Sequence, residues 1–260
     1  MINKFILYNR YLSPLEQFEL IVIKPINFIG FDISFHSVSL YLIVILSFLS
    51  LFLLFSSDSQ YLTLIPLRIQ VVIERFYKFI YNVLSEQCHT NKINYFFPLF
   101  FLLFLFVLSS NLIGLIPLSF TLTSHIALTF LISLSFNFSF VIIGFLENGS
   151  LFFKLFVPEG APRFLLPLIV IIELVSYLIR TFSLSIRLFA NMMAGHTLLH
   201  ILSSFTVAFV KSSFPSIFPV FPLLIVVPVF FLELGIAFIQ AYVFIILLAI
   251  YLNDSFNPQH

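Results

Sequence analysis

One arginine, Arg187, stands deep inside an apolar run, with no acidic residue three or four positions away on either side. Arginine stays charged at any accessible pH, because its pKa exceeds about 12. A charge at bilayer depth costs at least about 2.5–3.5 kcal/mol on insertion scales, so it marks a functional site by default. The chemistry on offer is electrostatic. A fixed cation favours the ionised form of a nearby carboxylate, and it repels a migrating proton.

The same run, roughly 164–210, also carries Glu173, Arg180, Asn191, His196 and His200. A later run, roughly 216–252, holds one charged residue, Glu233, with Gln240 seven positions on. At about 100° per helical residue, Arg180 falls about 20° from Arg187, and Glu173 and Asn191 about 40°. That is one narrow stripe. His196 and His200 fall near 180° and 220°, on the opposite face. The projection predicts two polar faces: a stripe ending at Arg187 and Asn191, and a histidine pair that could meet Glu233. Imidazole titrates near neutral pH, which suits a proton relay with a carboxylate. Glu173 and Arg180 could also form ion pairs with neighbours, and Arg180 could snorkel to an interface.

His196 and His200 have the i, i+4 spacing that lets two imidazoles share a metal ion. A divalent ion such as zinc could bind there; no cofactor is otherwise required. The residues between them, Thr197, Leu198 and Leu199, lack the glutamate of a metalloprotease helix. His36 and His125 are expected at interfaces, His89 and His260 in solvent, all four without a role.

These side chains need a membrane to hold them. Of 260 residues, 61% are hydrophobic and 9% charged, against roughly 25% charged in soluble domains. A spanning helix takes about 20 apolar residues, and five runs qualify: 37–57, 96–118, 125–147, 164–210 and 216–252. The fourth would make a helix of about 70 Å against a hydrocarbon core of about 30 Å. It must tilt or break, and no proline interrupts 168–210. The fifth is also too long to stand upright, although Pro219, Pro222 and Pro228 could kink or restart it. The expected fold is all-α: about five membrane helices, with a long tilted two-helix hairpin over 164–252. Residues 1–36 form an interfacial segment and 253–260 a tail. Between the first two spans, 58–95 interleaves Arg68, Glu74, Arg75 and Lys78 with Ile69, Val72, Ile73, Phe76, Phe79, Ile80 and Val83. Those three- and four-residue steps predict an amphipathic helix docked on the membrane surface.

Several runs together carry a family pattern. SIRLFANMMAGH at 185–196 and ELGIAFIQAYVF at 233–244 resemble subunit a of the F-type ATP synthases, in its mitochondrially encoded form. LEQFEL at 15–20, NLIGLIP at 111–117, PEGAP at 158–162 and IELVSYLIR at 172–180 extend the likeness over nearly the whole chain. The resemblance implies a long helical hairpin against a ring of c subunits, with Arg187 facing each passing carboxylate. It implies two unconnected half-channels. His196 and Glu233 would serve the inlet, Glu173 the outlet, and Gln240 would lie near the arginine; Asn191 matches the motif. The implied partners are the c ring, a peripheral stalk, other membrane stator subunits and the lipid bilayer. The implied location is the mitochondrial inner membrane. His200 departs from the pattern, so a metal there rests on spacing alone.

Other classes fit less well. A net charge of +1 suggests no nucleic-acid role, and a single cysteine, Cys88, permits no disulfide framework. None of the seven glycines sits in a phosphate-binding G-x-x-x-x-G-K run, so no nucleotide site is expected. A proton-coupled secondary transporter also needs intramembrane charge, yet usually shows repeats and broken helices. A haem-bearing subunit needs axial histidines on facing helices, whereas His196 and His200 share one face.

Overall fold

The computed structural model describes residues 18–28, 31–32, 34–57, 68–88, 93–116, 119–157, 164–211 and 220–256. PEGAP, Pro219, His89, His260 and the start of LEQFEL lie outside them.

Six helices carry the described chain: α1 (Ser37–Ser57), α2 (Arg68–Gln87), α3 (Ile93–Gly114), α4 (Ile126–Asn148), α5 (Leu166–Lys211) and α6 (Val220–Phe256). All but α2 are long and apolar enough to cross a membrane. The chain is therefore an all-α membrane protein. Four strands of two or three residues precede α1: β1 (Val22–Lys24), β2 (Asn27–Phe28), β3 (Phe31–Asp32) and β4 (Phe35–His36). Hydropathy does not disclose them. They pair antiparallel, β1 with β4 and β2 with β3.

α5 runs unbroken for 46 residues. Pro167 falls in its first turn, where the missing N–H has no helical partner to lose. α6 runs 37 residues straight through Pro228, so that proline does not restart it. It also ends four residues beyond the apolar run, at Phe256. α3 is the most enclosed helix: 56% of its membrane window is buried, against 17% in each of the other four.

The described residues divide into two compact units. The first draws on the described residues within 18–47, 108–125 and 188–240. Here Asn111, buried near the end of α3, donates from Nδ2 to the Ala237 carbonyl at 3.4 Å. Phe120 stacks on His125 at 4.8 Å and meets Tyr41 at 5.8 Å.

The second unit draws on the described residues within 48–107, 126–187 and 241–256. Its core is aromatic. Phe100 stacks on Phe140, and Phe104 receives Phe76 of α2. Tyr77 packs on Phe97, Phe79 on Tyr242, and Ile80, Val83 and Leu84 are buried. Much of the apolar side of α2 is thus covered by α3 and α6, which adds protein packing to the surface docking the periodicity predicts. The C-terminal turn of α6 is tied down by Asn148 Nδ2, which donates to the carbonyls of Ser255 and Phe256 at 2.8 and 3.2 Å. Such bonds satisfy carbonyls that a helix end leaves without partners. Gly149, at φ 55°, turns the chain out of α4. Only glycine adopts that left-handed backbone without strain.

Candidate functional site

In the second unit, α5 positions two arginines seven residues apart. Arg180 is engaged on three sides. Its Nη2 lies 3.4 Å from Glu173 Oε1, its Nη1 3.3 Å from Asp254 Oδ2, and its guanidinium carbon 5.9 Å from the Tyr251 ring centre. The Glu173 contact closes the seven-residue spacing along one helix face. Asp254 comes from the last turn of α6. Sequence reasoning missed it, because the apolar run was closed at 252 and the aspartate lies just beyond.

Arg187 is in the opposite state. It is exposed, as are Ser183 and Ile186 around it, and among the described residues it makes no ion pair. Leu184 and Ser185 beside it are buried. The helix therefore hides one arc and presents the arginine on the other.

The first unit gathers a different set. Asn191, Gly195 and His196 of α5 line a cavity of about 200 Å³ together with Leu115 and, from α6, Glu233 and Ile236. Glu233 is 7% exposed. Both of its carboxylate oxygens, and His196 Nε2, are buried with no hydrogen-bond partner among the described residues. Buried polar atoms left without a hydrogen-bond partner are costly. At roughly 30 Å³ of liquid volume per water, the cavity has room for several. A carboxyl and an imidazole beside a cavity with room for water are the groups a proton path needs.

Gly195 makes this arrangement fit. A β-carbon there would lie 2.7 Å from Glu233 Oε1 and 3.0 Å from its carboxyl carbon. Gly235 on α6, by contrast, meets nothing within 4 Å. In the sequence Gly195 is simply one residue of the run SIRLFANMMAGH. Nothing local betrays a contact made across two helices.

The projected division into two polar faces needs one correction. Asn191 lines the same cavity as His196 instead of belonging to the Arg187 stripe alone. The cavity opens to a wide arc of α5, because both Leu115 and α6 border it. Gln240 is buried in the same unit but does not line the cavity. Nor does His200. Among the described residues no cluster of three or more His, Cys, Asp or Glu side chains comes together to hold a metal.

Two groups outside the membrane helices are shifted. Burial pushes the Cys88 thiol up to about 11, with the Asp254 carboxylate adding to it. Its sulfur lies 3.3 Å from the Ala249 carbonyl. Burial lowers His125 below the usual imidazole range.

A fixed, outward-facing cation and a buried carboxyl–imidazole cavity on two long membrane helices can be set beside known proteins. The family described as ATP synthase A chain matches residues 37–253. The chain is 45% identical to ATP synthase subunit a of Acanthamoeba castellanii over 249 residues, covering 95% of this chain and 99% of that one. It is 41% identical to ATP synthase subunit a of Mesorhizobium japonicum, covering 95% and 98%. To ATP synthase subunit a of Brassica napus it is 44% identical, covering 94% and 96%. With the family matched over most of its length and such relatives covered almost end to end, this chain belongs to the ATP synthase A chain family.

Proposed function

We propose that the chain is the proton-translocating stator subunit of a rotary ATP synthase. It carries no catalytic site for ATP itself, and forms two offset half-channels that load and unload protons on the carboxylates of a c ring. Arg187 separates the two. The observation that carries this reading is the contrast already described: an exposed Arg187 with no ion pair among the described residues, on a helix long enough to lie tilted in the membrane. A permanent cation on a lipid-depth surface needs a counter-charge. A passing carboxylate on a partner subunit supplies one.

The physics of the cycle follows. A c-ring carboxyl that reaches Arg187 is favoured in its ionised form and releases its proton toward the outlet, where Glu173 stands. Moving on, it is reprotonated through the inlet, where His196, Asn191 and Glu233 line the cavity. Gln240 lies further along the same path. Arg187 repels a proton that would cross directly between the channels. Lysine could shed its charge when desolvated; arginine does not. Each charge crossing the membrane contributes about 2.3 kcal/mol per 100 mV, so several protons combine for one ATP.

The setting consistent with this work is the mitochondrial inner membrane, with the c ring, a peripheral stalk and other stator subunits as partners. Zinc at His196 and His200 is the one metal the sequence suggests, and two imidazoles supply only half a tetrahedral ligand set.

The test is Arg187→Ala in the complete complex. Proton-driven ATP synthesis is expected to fall about 100-fold or more, while ATP hydrolysis by the soluble part persists. Synthesis at the wild-type rate would overturn the reading.

A further inference from the structure

We infer that a buried polar seam between α4 and α5 aims Arg187: Thr129 and Asn137 of α4 grip Ser185 and Thr181 of α5 and fix its rotation. The inference rests on the reading of Arg187 given above and adds four positioning residues to it.

Two apolar helices in lipid have no hydrophobic reason to prefer one rotation over another; packing and interhelical hydrogen bonds decide. Here the bonds are present. Thr129 Oγ1 lies 3.2 Å from Ser185 Oγ, and both residues are 0% exposed. Thr129 Oγ1 also lies 3.1 Å from the Ile126 carbonyl, to which it donates. About two turns along α4, and one turn along α5, Asn137 Nδ2 donates to Thr181 Oγ1. Ser133, between them on α4, is also buried, and its small side chain lets the helices approach.

The geometry links seam to arginine. Ser185 and Thr181 project about 160° and 120° from Arg187 around α5. Anchoring that side to α4 turns the arginine outward. A rotation of one residue, about 100°, would break both bonds and leave hydroxyls against apolar side chains.

The experiment uses complete synthase complexes reconstituted in liposomes, with Thr129→Val, Asn137→Leu or Ser185→Ala. Per assembled complex, ATP synthesis is expected to fall about three- to twenty-fold, the fold-change matching one interhelical hydrogen bond. Proton leak after removal of the soluble part should rise. Thr129→Ser keeps the hydroxyl and should restore both. The double variant Thr129→Val with Ser185→Ala should be no worse than either single. Unchanged synthesis and leak per complex, additive losses, or failure of even Ser185→Ala to assemble would each overturn the proposal in favour of a brace. Arg187→Ala runs alongside. Intact synthesis there defeats the reading of Arg187 itself; lost synthesis there with unaffected seam variants defeats only the seam.

Discussion

Arg180 and Arg187 sit two turns apart on one helix, yet they live under opposite electrostatic conditions. Arg180 is held by Glu173, Asp254 and the face of Tyr251. Arg187 is exposed and has no ion pair among the described residues. The same side chain thus has its counter-charges supplied by its own chain in one place and, among the described residues, none in the other. What separates the roles is whether the chain supplies the counter-charge. Glu233 and His196 repeat the lesson: buried polar atoms with no hydrogen-bond partner among the described residues, beside a cavity. A satisfied group stabilises, while an unsatisfied one is available to work.

That contrast can be broken or sharpened by substitution. Glu233→Gln should slow proton flux about 100-fold, the lower range for losing a positioned acid–base group. Equal passive and driven flux in that variant would remove Glu233 from the path. Gly195→Ala should cost about ten-fold in flux through an overpacked contact of about 1–3 kcal/mol, because the new methyl displaces the carboxyl. Gly235→Ala is the matched control, with open space around it and a gain in helix propensity. Similar flux in the two alanine variants would deny that the close approach matters.

Smaller effects fall on the paired arginine. Its partners are a fifth to a third exposed, so Arg180→Gln should lower stability by only about 1 kcal/mol, read as a modest fall in the melting temperature of the complex. Loss of synthesis as complete as in Arg187→Ala would erase the distinction between the two. The smallest effect is chemical. With its thiol pushed up to about 11 and buried, Cys88 is almost wholly protonated at pH 8. Maleimide labelling of the intact complex should be negligible there and appear only on denaturation. Elemental analysis without chelator should find well under one zinc per complex. A full equivalent would establish the histidine pair as a metal site.

Much of this was legible in the sequence, and for a physical reason. The length and apolarity of 164–210 require a long membrane helix, and the absence of a nearby acid marks Arg187 as unpaired within its own turn. The Glu173–Arg180 contact was open to the same projection. Asp254 was not, since Asn253 and Asp254 end the apolar signal while α6 continues under the Asn148 cap. Gly195 against Glu233, and the seam of Thr129, Ser185, Asn137 and Thr181, were hidden because they depend on which helices become neighbours. Periodicity along one helix carries no record of its partner. The short strands before α1 escaped for a similar reason, being too brief to leave a pattern.

The central claim is that the exposed face around Arg187 meets the carboxylates of a c ring. The most direct measurement is disulfide cross-linking in the assembled complex, pairing Ser183→Cys, exposed one turn before Arg187, with a cysteine placed one turn from the c-subunit carboxylate. The buried native Cys88 does not compete. A cross-linked product between the two subunits is expected, one that stops ATP synthesis and is reversed by reductant. No product from Ser183→Cys, with efficient cross-linking from a position on another helix instead, would contradict it.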